Sequence, residues 1–345
     1  MKRLWLYGVL ISVLLLAGCA RQENASASFE RVDPAFDALL RADSEVELVA
    51  TGFVFTEGPV YRRDGVLLFS DIPANAIYKW SPQMGASVFR WPAGYDGPPM
   101  PEGAYIGPNG LTLDKEGRLV ICEHGNRRVT RLEQDGTLTV LADRYQGKRL
   151  NSPNDAVFKS DGALYFTDPP YGLLKQDKDP AKELKFNGVY RRNPDGTLVL
   201  LTSELSRPNG LAFSPDEKVL YVANSDAARK IWMRYEVKPD GTLGPGQVFF
   251  DATARKEDGL PDGMKVDTNG NVYCTGPGGI WVFSPGGKHL GTIHFPQVPA
   301  NLAWGKYAKT HAESPLGEGE KADTLYVTAR TAIYRVRLAA SGVVP

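Results

Sequence analysis

One pattern of apolar and polar residues occurs six times along the chain. Each copy begins with an acidic or amide residue, continues through a short apolar run, turns at polar or glycine residues and enters a second apolar run. The copies begin 39 to 55 residues apart, at Glu57, Asn109, Asn154, Asn209, Asp262 and Asn301. Short alternating runs separated by turn residues predict strands, and no long helical period competes with them.

The spacing of the copies predicts the fold. A unit of about 40 to 50 residues with four short strands is typical of a propeller blade. Each copy is followed by a second pair of β-rich runs, so the sequence predicts an all-β, six-bladed β-propeller. A solenoid of six β units is the alternative, although no capping repeats are visible. Residues 45–53 alternate like a strand and are predicted to close the ring by joining the C-terminal blade.

The chain begins with a segment that is separate from the repeats. Lys2 and Arg3 precede an apolar run over residues 4–18, which is shorter than the ~20 residues of a membrane-spanning helix. This layout is typical of a secretory signal peptide. The run ends in Leu-Ala-Gly followed by Cys19, which resembles a bacterial lipobox and implies that Cys19 is lipidated. An ordinary signal peptide or an uncleaved anchor is the alternative.

These segments define the predicted domains and location. Residues 1–18 are interpreted as the signal peptide, residues 19–44 as the lipidated Cys and a polar tether with a short helical end, and residues 45–345 as the propeller. The protein is predicted to lie in a bacterial cell envelope, facing the periplasm or the exterior. In similar envelope lipoproteins an acidic residue after the lipidated Cys favours retention in the inner membrane. Ala20 and Arg21 are not acidic, so the outer membrane is favoured.

Charge and cysteine content restrict the partners further. The chain has 40 basic and 40 acidic residues, so nothing favours nucleic acid or an anionic membrane surface. Membrane contact is expected only through the lipid, and a monomer is expected. Cys122 and Cys274 lie on apolar runs of separate repeats, which favours two buried free thiols over a disulfide.

Aligning the repeats produces two columns of polar residues. The inner column contains the six residues named above, which begin the innermost strands. The strand-end column contains the residues that end the following strands: Asp71, Glu123, Asp168, Asn224, Gly276 and Ala329. Because adjacent strands of a hairpin are antiparallel, both columns are predicted to face one mouth of the central channel.

A ring of carboxylates and amides from separate blades indicates a divalent cation. Unpaired carboxylates would repel one another, whereas calcium accepts oxygen ligands from Asp, Glu and Asn. Glu57 and Asp262 would neutralise its charge, and no His or Cys in the inner column favours zinc or copper. The alternative is that these are ordinary strand-start residues, above all Asn109 and Asn301.

The motifs around the inner column carry a family resemblance. They include TEGPV from residue 56, PNGL from 108, SPND from 152, RPNGL from 207 and LPDGM from 260. From residue 48 to 338 the chain resembles the gluconolactonase, regucalcin and senescence-marker-protein group of six-bladed propellers, and bacterial gluconolactonase-like proteins most of all. The resemblance implies one divalent cation, usually calcium with zinc, magnesium or manganese as alternatives. Its implied ligands are Glu57, Asn154, Asn209 and Asp262.

The resemblance also implies roles in the reaction. Asp262 matches the family's proposed general base, and in some members the position of Asn154 binds substrate instead of metal. Ser152 stands where sugar-lactone-binding members carry an Arg, two residues before Asn154. This departure puts an aldonolactone substrate in question.

Lactone hydrolysis requires a polarised carbonyl, a deprotonated water and a stabilised oxyanion. Asp262 is predicted to assist the water; alternatively it is only a ligand, because a bound cation lowers its pKa. His124 is the competing general base, since its ordinary pKa suits neutral catalysis. Substrate contacts are predicted for a further set of residues: Asn109, Glu123, Asp168, Tyr171 and Asn224.

The predicted function is therefore divalent-metal-dependent hydrolysis of a small, sugar-type lactone. The first alternative is hydrolysis of phosphotriesters or aryl esters at the same metal. The second is a lipid-anchored propeller that binds ligands without catalysis and holds a structural calcium.

Overall fold

The computed structural model describes residues 27–345, so the predicted signal peptide and Cys19 lie outside the described residues. The main strands form six antiparallel sheets, arranged as the predicted six-bladed propeller. No helix within residues 27–345 is long and apolar enough to cross a membrane.

Each of the first four blades follows the chain from its innermost to its outermost strand. Blade 1 contains Thr56–Tyr61, Leu67–Asp71, Ala76–Ser81 and Gly85–Arg90. Blade 2 contains Pro108–Leu113, Leu119–Glu123, Arg128–Leu132 and Leu138–Ala142. Blade 3 contains Ala156–Phe158, Leu164–Asp168, Gly188–Arg192 and Leu198–Thr202. Blade 4 contains Pro208–Phe213, Val219–Asp226, Arg229–Glu236 and Gln247–Asp251.

The last two blades each include a strand from the N-terminal part of the chain. Blade 5 contains Met264–Val266, Val272–Gly276, Gly279–Phe283 and His289–His294, with Ser28–Arg31 at its outer edge. Blade 6 contains Asn301–Gly305, Ala322–Ala329 and Ala332–Gly342, with Val46–Thr51 outermost. In this last pairing Val46 lies opposite Val336 and Thr51 opposite Ala332. The predicted closure of the ring is confirmed.

The folded part of the chain begins earlier than the predicted boundary at residue 45. Ser28–Arg31 pairs with His289–His294, and a 3₁₀ helix, Pro34–Leu39, follows it. Asp33 caps this helix, and the Phe36 side chain is fully buried against blade 5 and blade 6. The interpretation as a tether is therefore wrong for Ser28–Arg31, whereas the predicted short helical element is present at Pro34–Leu39.

Burial explains why the second strand of each blade is mostly apolar. The strands Leu67–Asp71 and Leu164–Asp168 are buried along their whole length, while the outermost strand Gly85–Arg90 is mostly exposed. Large aromatic side chains fill the space between neighbouring blades, as where Trp232 and Trp281 lie 5.7 Å apart between ring centroids. Cys122 and Cys274 are buried free thiols, as predicted.

The remaining short elements lie in connections. A small hairpin pairs Arg144–Tyr145 with Lys148–Arg149, and two further 3₁₀ turns are Gln176–Lys178 and His311–Glu313. The predicted loop over residues 94–107 returns to the channel mouth, where Gly107 N–H donates to the Ile72 carbonyl at 3.0 Å. Gly125 N–H donates to Ile106 at 2.9 Å, which fixes the loop against blade 2.

Candidate active site

The inner column forms a ring at one mouth of the channel, because all its members stand at or just before the start of innermost strands. Five of them are nearly inaccessible to solvent and Asp262 is partly exposed. The glycine after a column residue permits this convergence. A Cβ on Gly110 would lie 2.5 Å from the Asn154 carbonyl oxygen, and one on Gly210 would lie 2.3 Å from that of Asp262. The repeated polar-Gly pair therefore allows the close approach of neighbouring blades.

Three carboxylates meet in this ring. Glu57 Oε2 accepts hydrogen bonds from Gly58 N–H at 2.7 Å and from Asn301 Nδ2 at 3.1 Å. The same Asn301 nitrogen lies 3.5 Å from Asp155 Oδ2. Burial raises the pKa of Glu57 to about 7, and burial followed by the charges of Glu57 and Asp155 raises that of Asp262 well above its ordinary value. Such a buried acidic group calls for a positive charge.

The oxygens at this mouth suit a hard cation. Among the described residues, Oδ1 of Asp262 is buried and has no hydrogen-bond partner. Asn209 Nδ2 donates to Ser225 Oγ at 3.1 Å, and Asn154 Nδ2 lies 3.5 Å from the His124 ring, so both amide nitrogens point to other partners. Residues 27–345 contain no group of three or more His, Cys, Asp or Glu side chains placed to hold a metal. A cation here would therefore depend on amide oxygens beside Glu57 and Asp262, as calcium permits.

His124 lies behind the ring and not at an open position. It is 1 % exposed, its Nε2 lies 3.1 Å from Asn109 Nδ2, and its Nδ1 lies 3.3 Å from the Tyr105 carbonyl oxygen. Burial lowers the pKa of its imidazole to about 4. Both ring nitrogens are engaged by protein groups, which favours a structural role for His124. Its role as general base stays a prediction.

Tyr171 is the one predicted substrate residue from blade 3 that reaches the ring. Its hydroxyl donates to the Ser225 carbonyl at 3.3 Å. Burial, and next the negative charge of Asp262, raise the pKa of this hydroxyl, which places it near the carboxylate. Asn109 also belongs to the ring, and its buried Oδ1 has no partner among the described residues. For both residues the substrate role stays a prediction.

The strand-end column has a different purpose from the predicted one. Asp168 Oδ2 and Oδ1 accept the backbone N–H groups of Asn151 and Ser152, each at 2.8 Å, and Asp71 does the same for Val54 and Phe55. These carboxylates hold the segment that leads into the innermost strand of the same blade.

The other two substrate candidates of this column are also occupied. Asn224 Oδ1 accepts the Arg207 N–H at 2.8 Å. The carboxylate of Glu123 accepts from Arg128 Nε at 2.8 Å and from Asn126 Nδ2 at 2.6 Å. The side chains of Glu123, Asp168 and Asn224 are at most 1 % exposed. The predicted substrate contacts of all three are corrected, because their acceptors already bind groups of their own blades.

Sequence comparison of the repeats missed Asp155 and Lys265. Asp155 follows Asn154, at a position that is Gly in four of the other five copies. This departure from the repeat was the sequence feature that could have identified Asp155 as a site residue. Burial raises the pKa of the Asp155 carboxyl, and the nearby Lys265 is the strongest influence that lowers it. Lys265 lies on the innermost strand Met264–Val266, so it supplies positive charge to the acidic group from blade 5.

Comparisons with known proteins agree with this geometry. A sequence profile of the SMP-30/Gluconolactonase/LRE-like region matches residues 55–331. Gluconolactonase of Zymomonas mobilis is 40% identical over 321 residues, which cover 89% of this chain and 85% of that protein.

Solved structures add two neighbours. A gluconolactonase from Xanthomonas campestris superposes with a TM-score of 0.73 and 31% identity, covering 90% of this chain and 94% of its own. The calcium-binding protein regucalcin from Agrobacterium tumefaciens has a TM-score of 0.66 and 19% identity, covers 87% and 96% of the two chains, and shows the shared propeller fold. The profile match and the Zymomonas relative together establish that this chain belongs to the SMP-30/Gluconolactonase/LRE-like family.

Proposed function

We propose that this protein is a divalent-metal-dependent lactonase that opens the ester of a small lactone. The observation that carries the proposal is the buried, unpartnered Oδ1 of Asp262 beside Glu57, within a ring of amide side chains at the channel mouth. The activity named for the Zymomonas relative supports a lactone as the substrate.

The residues of the ring have different roles in hydrolysis. Glu57, Asn154, Asn209 and Asp262 would hold the cation through their oxygens. When bound, the cation polarises the lactone carbonyl and stabilises the negative charge that develops on its oxygen. Asp262 accepts the proton of the attacking water through a carboxylate whose Oδ1 has no hydrogen-bond partner among the described residues. The Tyr171 hydroxyl and the Asn109 amide orient the substrate beside it.

Calcium is the ion that we propose for this site. All proposed ligands are oxygens, two of them amide carbonyls, and calcium tolerates such mixed sets in flexible geometry. Zinc is disfavoured because neither His nor Cys contributes, while magnesium and manganese share the preference for oxygen.

The substrate class within the lactones depends on how hydroxyl groups would be recognised. Ser152, which stands where sugar-lactone-binding relatives carry an Arg, is fully buried and donates its hydroxyl to the Pro169 carbonyl at 2.6 Å. It contributes no charge at the mouth. We propose a small, sugar-type lactone, whose hydroxyl groups Tyr171 and Asn109 contact in place of a charged side chain at position 152.

A substrate panel tests the proposed function. The purified protein is stripped of metal, resupplied separately with calcium, magnesium, manganese and zinc, and assayed on unsubstituted and polyhydroxylated γ- and δ-lactones, an aryl ester and a phosphotriester. We expect lactone turnover that exceeds the other two substrates, and calcium to restore it best. Faster phosphotriester or aryl-ester hydrolysis would favour that alternative, and cation binding without turnover of any substrate would favour a non-catalytic binding protein.

The cell-envelope location is a second proposal, and it rests on the sequence at Cys19. Cys19 lies eight positions before Ala27, so an extended chain of roughly 3.5 Å per residue spans at most about 28 Å between them. A lipid at Cys19 would therefore hold the outer edge of blade 5, where Ser28–Arg31 lies, close to a bilayer.

Replacing Cys19 tests the anchor directly. The Cys19→Ser variant is expected to leave the membrane fraction and to lose incorporation of radiolabelled lipid, because the thiol that accepts the lipid is gone. Lactone turnover should be unchanged, since the ring lies in residues 57–301. Retention of Cys19→Ser in the membrane fraction would instead indicate an uncleaved anchor.

A further inference from the structure

We propose that His124 is a positioning residue, which turns the amides of Asn109 and Asn154 so that their oxygens face the channel mouth. This inference rests on the proposed function, because it assigns the Asn154 oxygen to the cation. It also has the Asn109 oxygen accept a hydrogen bond from the substrate. It is an alternative to the predicted general-base role of His124.

The hydrogen bonds of His124 define its tautomer. Nδ1 faces the Tyr105 carbonyl oxygen at 3.3 Å, and a carbonyl can only accept, so Nδ1 carries the proton. Nε2 of the neutral ring is then an acceptor. It meets Asn109 Nδ2 at 3.1 Å and, at a longer distance, Asn154 Nδ2 at 3.5 Å.

This arrangement sets the direction of both amides. The oxygen of an amide group points away from its nitrogen, so an amide whose NH₂ faces His124 presents its oxygen on the opposite side. Reversing either amide would place its oxygen against the Nε2 lone pair, which is repulsive. One imidazole acceptor therefore orients side chains from two adjacent blades.

The position of the His124 imidazole is itself fixed by backbone contacts. His124 N–H donates to the Gly107 carbonyl at 3.2 Å, and the His124 carbonyl accepts from Arg127 N–H at 3.2 Å. Blade 3 packs directly behind it, since a Cβ on Gly172 would lie 2.7 Å from the His124 carbonyl oxygen. The imidazole is thus held from two blades and by the 94–107 loop.

The consequence is visible at Asn109. Its side chain is 3 % exposed, and its Oδ1 is buried without a hydrogen-bond partner among the described residues. Leaving a buried carbonyl oxygen unpaired is unfavourable, so the oxygen is suited to an incoming donor. A hydroxyl of the lactone can donate to this oxygen. Nε2 of His124 cannot, because it is itself an acceptor.

Two variants test the inference through cation affinity, which is measured without substrate. Calorimetric titration of metal-stripped protein with calcium is compared for wild type, His124→Phe and His124→Gln. Residues that orient metal ligands typically contribute 10- to 100-fold in affinity, so we expect His124→Phe to raise the calcium Kd by about that factor. His124→Gln should remain within a few-fold of wild type, because its amide oxygen can accept in place of Nε2.

A second histidine provides the matched control. His289 is part-buried in blade 5, where it stacks on Trp281 with 4.4 Å between ring centroids and contacts Gly291 and Thr292. His289→Phe is expected to change stability without changing calcium affinity. Unchanged affinity in a folded His124→Phe protein, or an equal loss in His124→Gln and His124→Phe, would overturn the positioning role.

Kinetics separate this inference from the proposed function. His124→Gln should keep kcat, whereas a general base could not be replaced by Gln; for His124→Phe we expect KM for a hydroxylated lactone to rise more than for an unsubstituted one. If the wild type binds calcium but opens no lactone, the proposed function fails while the affinity series still decides the role of His124. If the wild type binds none of the four cations, both proposals fail.

Discussion

The Asp262→Asn variant is expected to lower kcat/KM for the lactone by about 10²–10⁴-fold, the usual contribution of a positioned general base. Asn has the same size and retains one oxygen for the cation, but it cannot accept a proton from water. The measurement is initial-rate lactone hydrolysis at saturating calcium, with the calcium Kd determined separately. Both numbers are needed because Asp262 is placed both as a ligand and as a base.

The two roles of Asp262 give different patterns. If it is only a ligand, Asp262→Asn should weaken calcium binding, and excess calcium should restore kcat. If it also takes the proton, kcat stays low at every calcium concentration. Asp258→Asn is the matched control, because Asp258 is exposed in the loop just before Asp262. The turnover of this variant should equal that of wild type. Full turnover by Asp262→Asn would refute the lactonase mechanism.

The propeller and its ring were predictable from sequence because both follow from a repeated local pattern. Each blade repeats the same order of strand, turn and strand, so aligning the copies places Glu57, Asn209 and Asp262 at equivalent positions. Strands of equivalent blades start at the same mouth, and the convergence of these residues therefore required no knowledge of side-chain contacts.

The strand-end column shows where this reasoning stops. Spacing correctly places Asp168 at the end of a strand, but it does not say which donors lie nearest. In blades 1 and 3 the segment before the innermost strand brings unpaired N–H groups to that point, and one carboxylate satisfies two of them at once, as Asp168 does for Asn151 and Ser152. Local backbone demand takes these side chains away from substrate.

Contacts between blades could not be predicted from the sequence either. His124 was notable in the sequence only as a titratable residue, whereas its role depends on amides 15 and 30 positions away. Ser28–Arg31 carries little apolar signal, because it lies at a sheet edge and three of its four residues are exposed. It forms a strand through pairing with His289–His294, which no local pattern reveals.

Removing the cation is expected to produce the largest effect on turnover. Lewis-acid stabilisation of the oxyanion is worth several kcal/mol, and each ~1.4 kcal/mol is tenfold in rate, so chelation should lower lactone turnover by at least about 10³-fold. Besides burial, the charge of Asp155 raises the pKa of Glu57, and the charges of Glu57 and Asp155 raise the pKa of Asp262. A bound calcium would offset this concentration of negative charge. Calcium at 100 times its Kd should therefore also stabilise the folded protein by about 2.7 kcal/mol.

Measuring both effects on the same samples separates a catalytic ion from a structural one. Turnover and the urea-unfolding midpoint are recorded for metal-stripped protein, for protein resupplied with calcium, and for Glu57→Gln, whose amide removes one of the two ligand charges. A catalytic calcium restores turnover and stability together in wild type, and both gains shrink in Glu57→Gln. If calcium restores only the midpoint while metal-free protein retains full turnover, the ion is structural, and proton transfer by Asp262 must proceed without it.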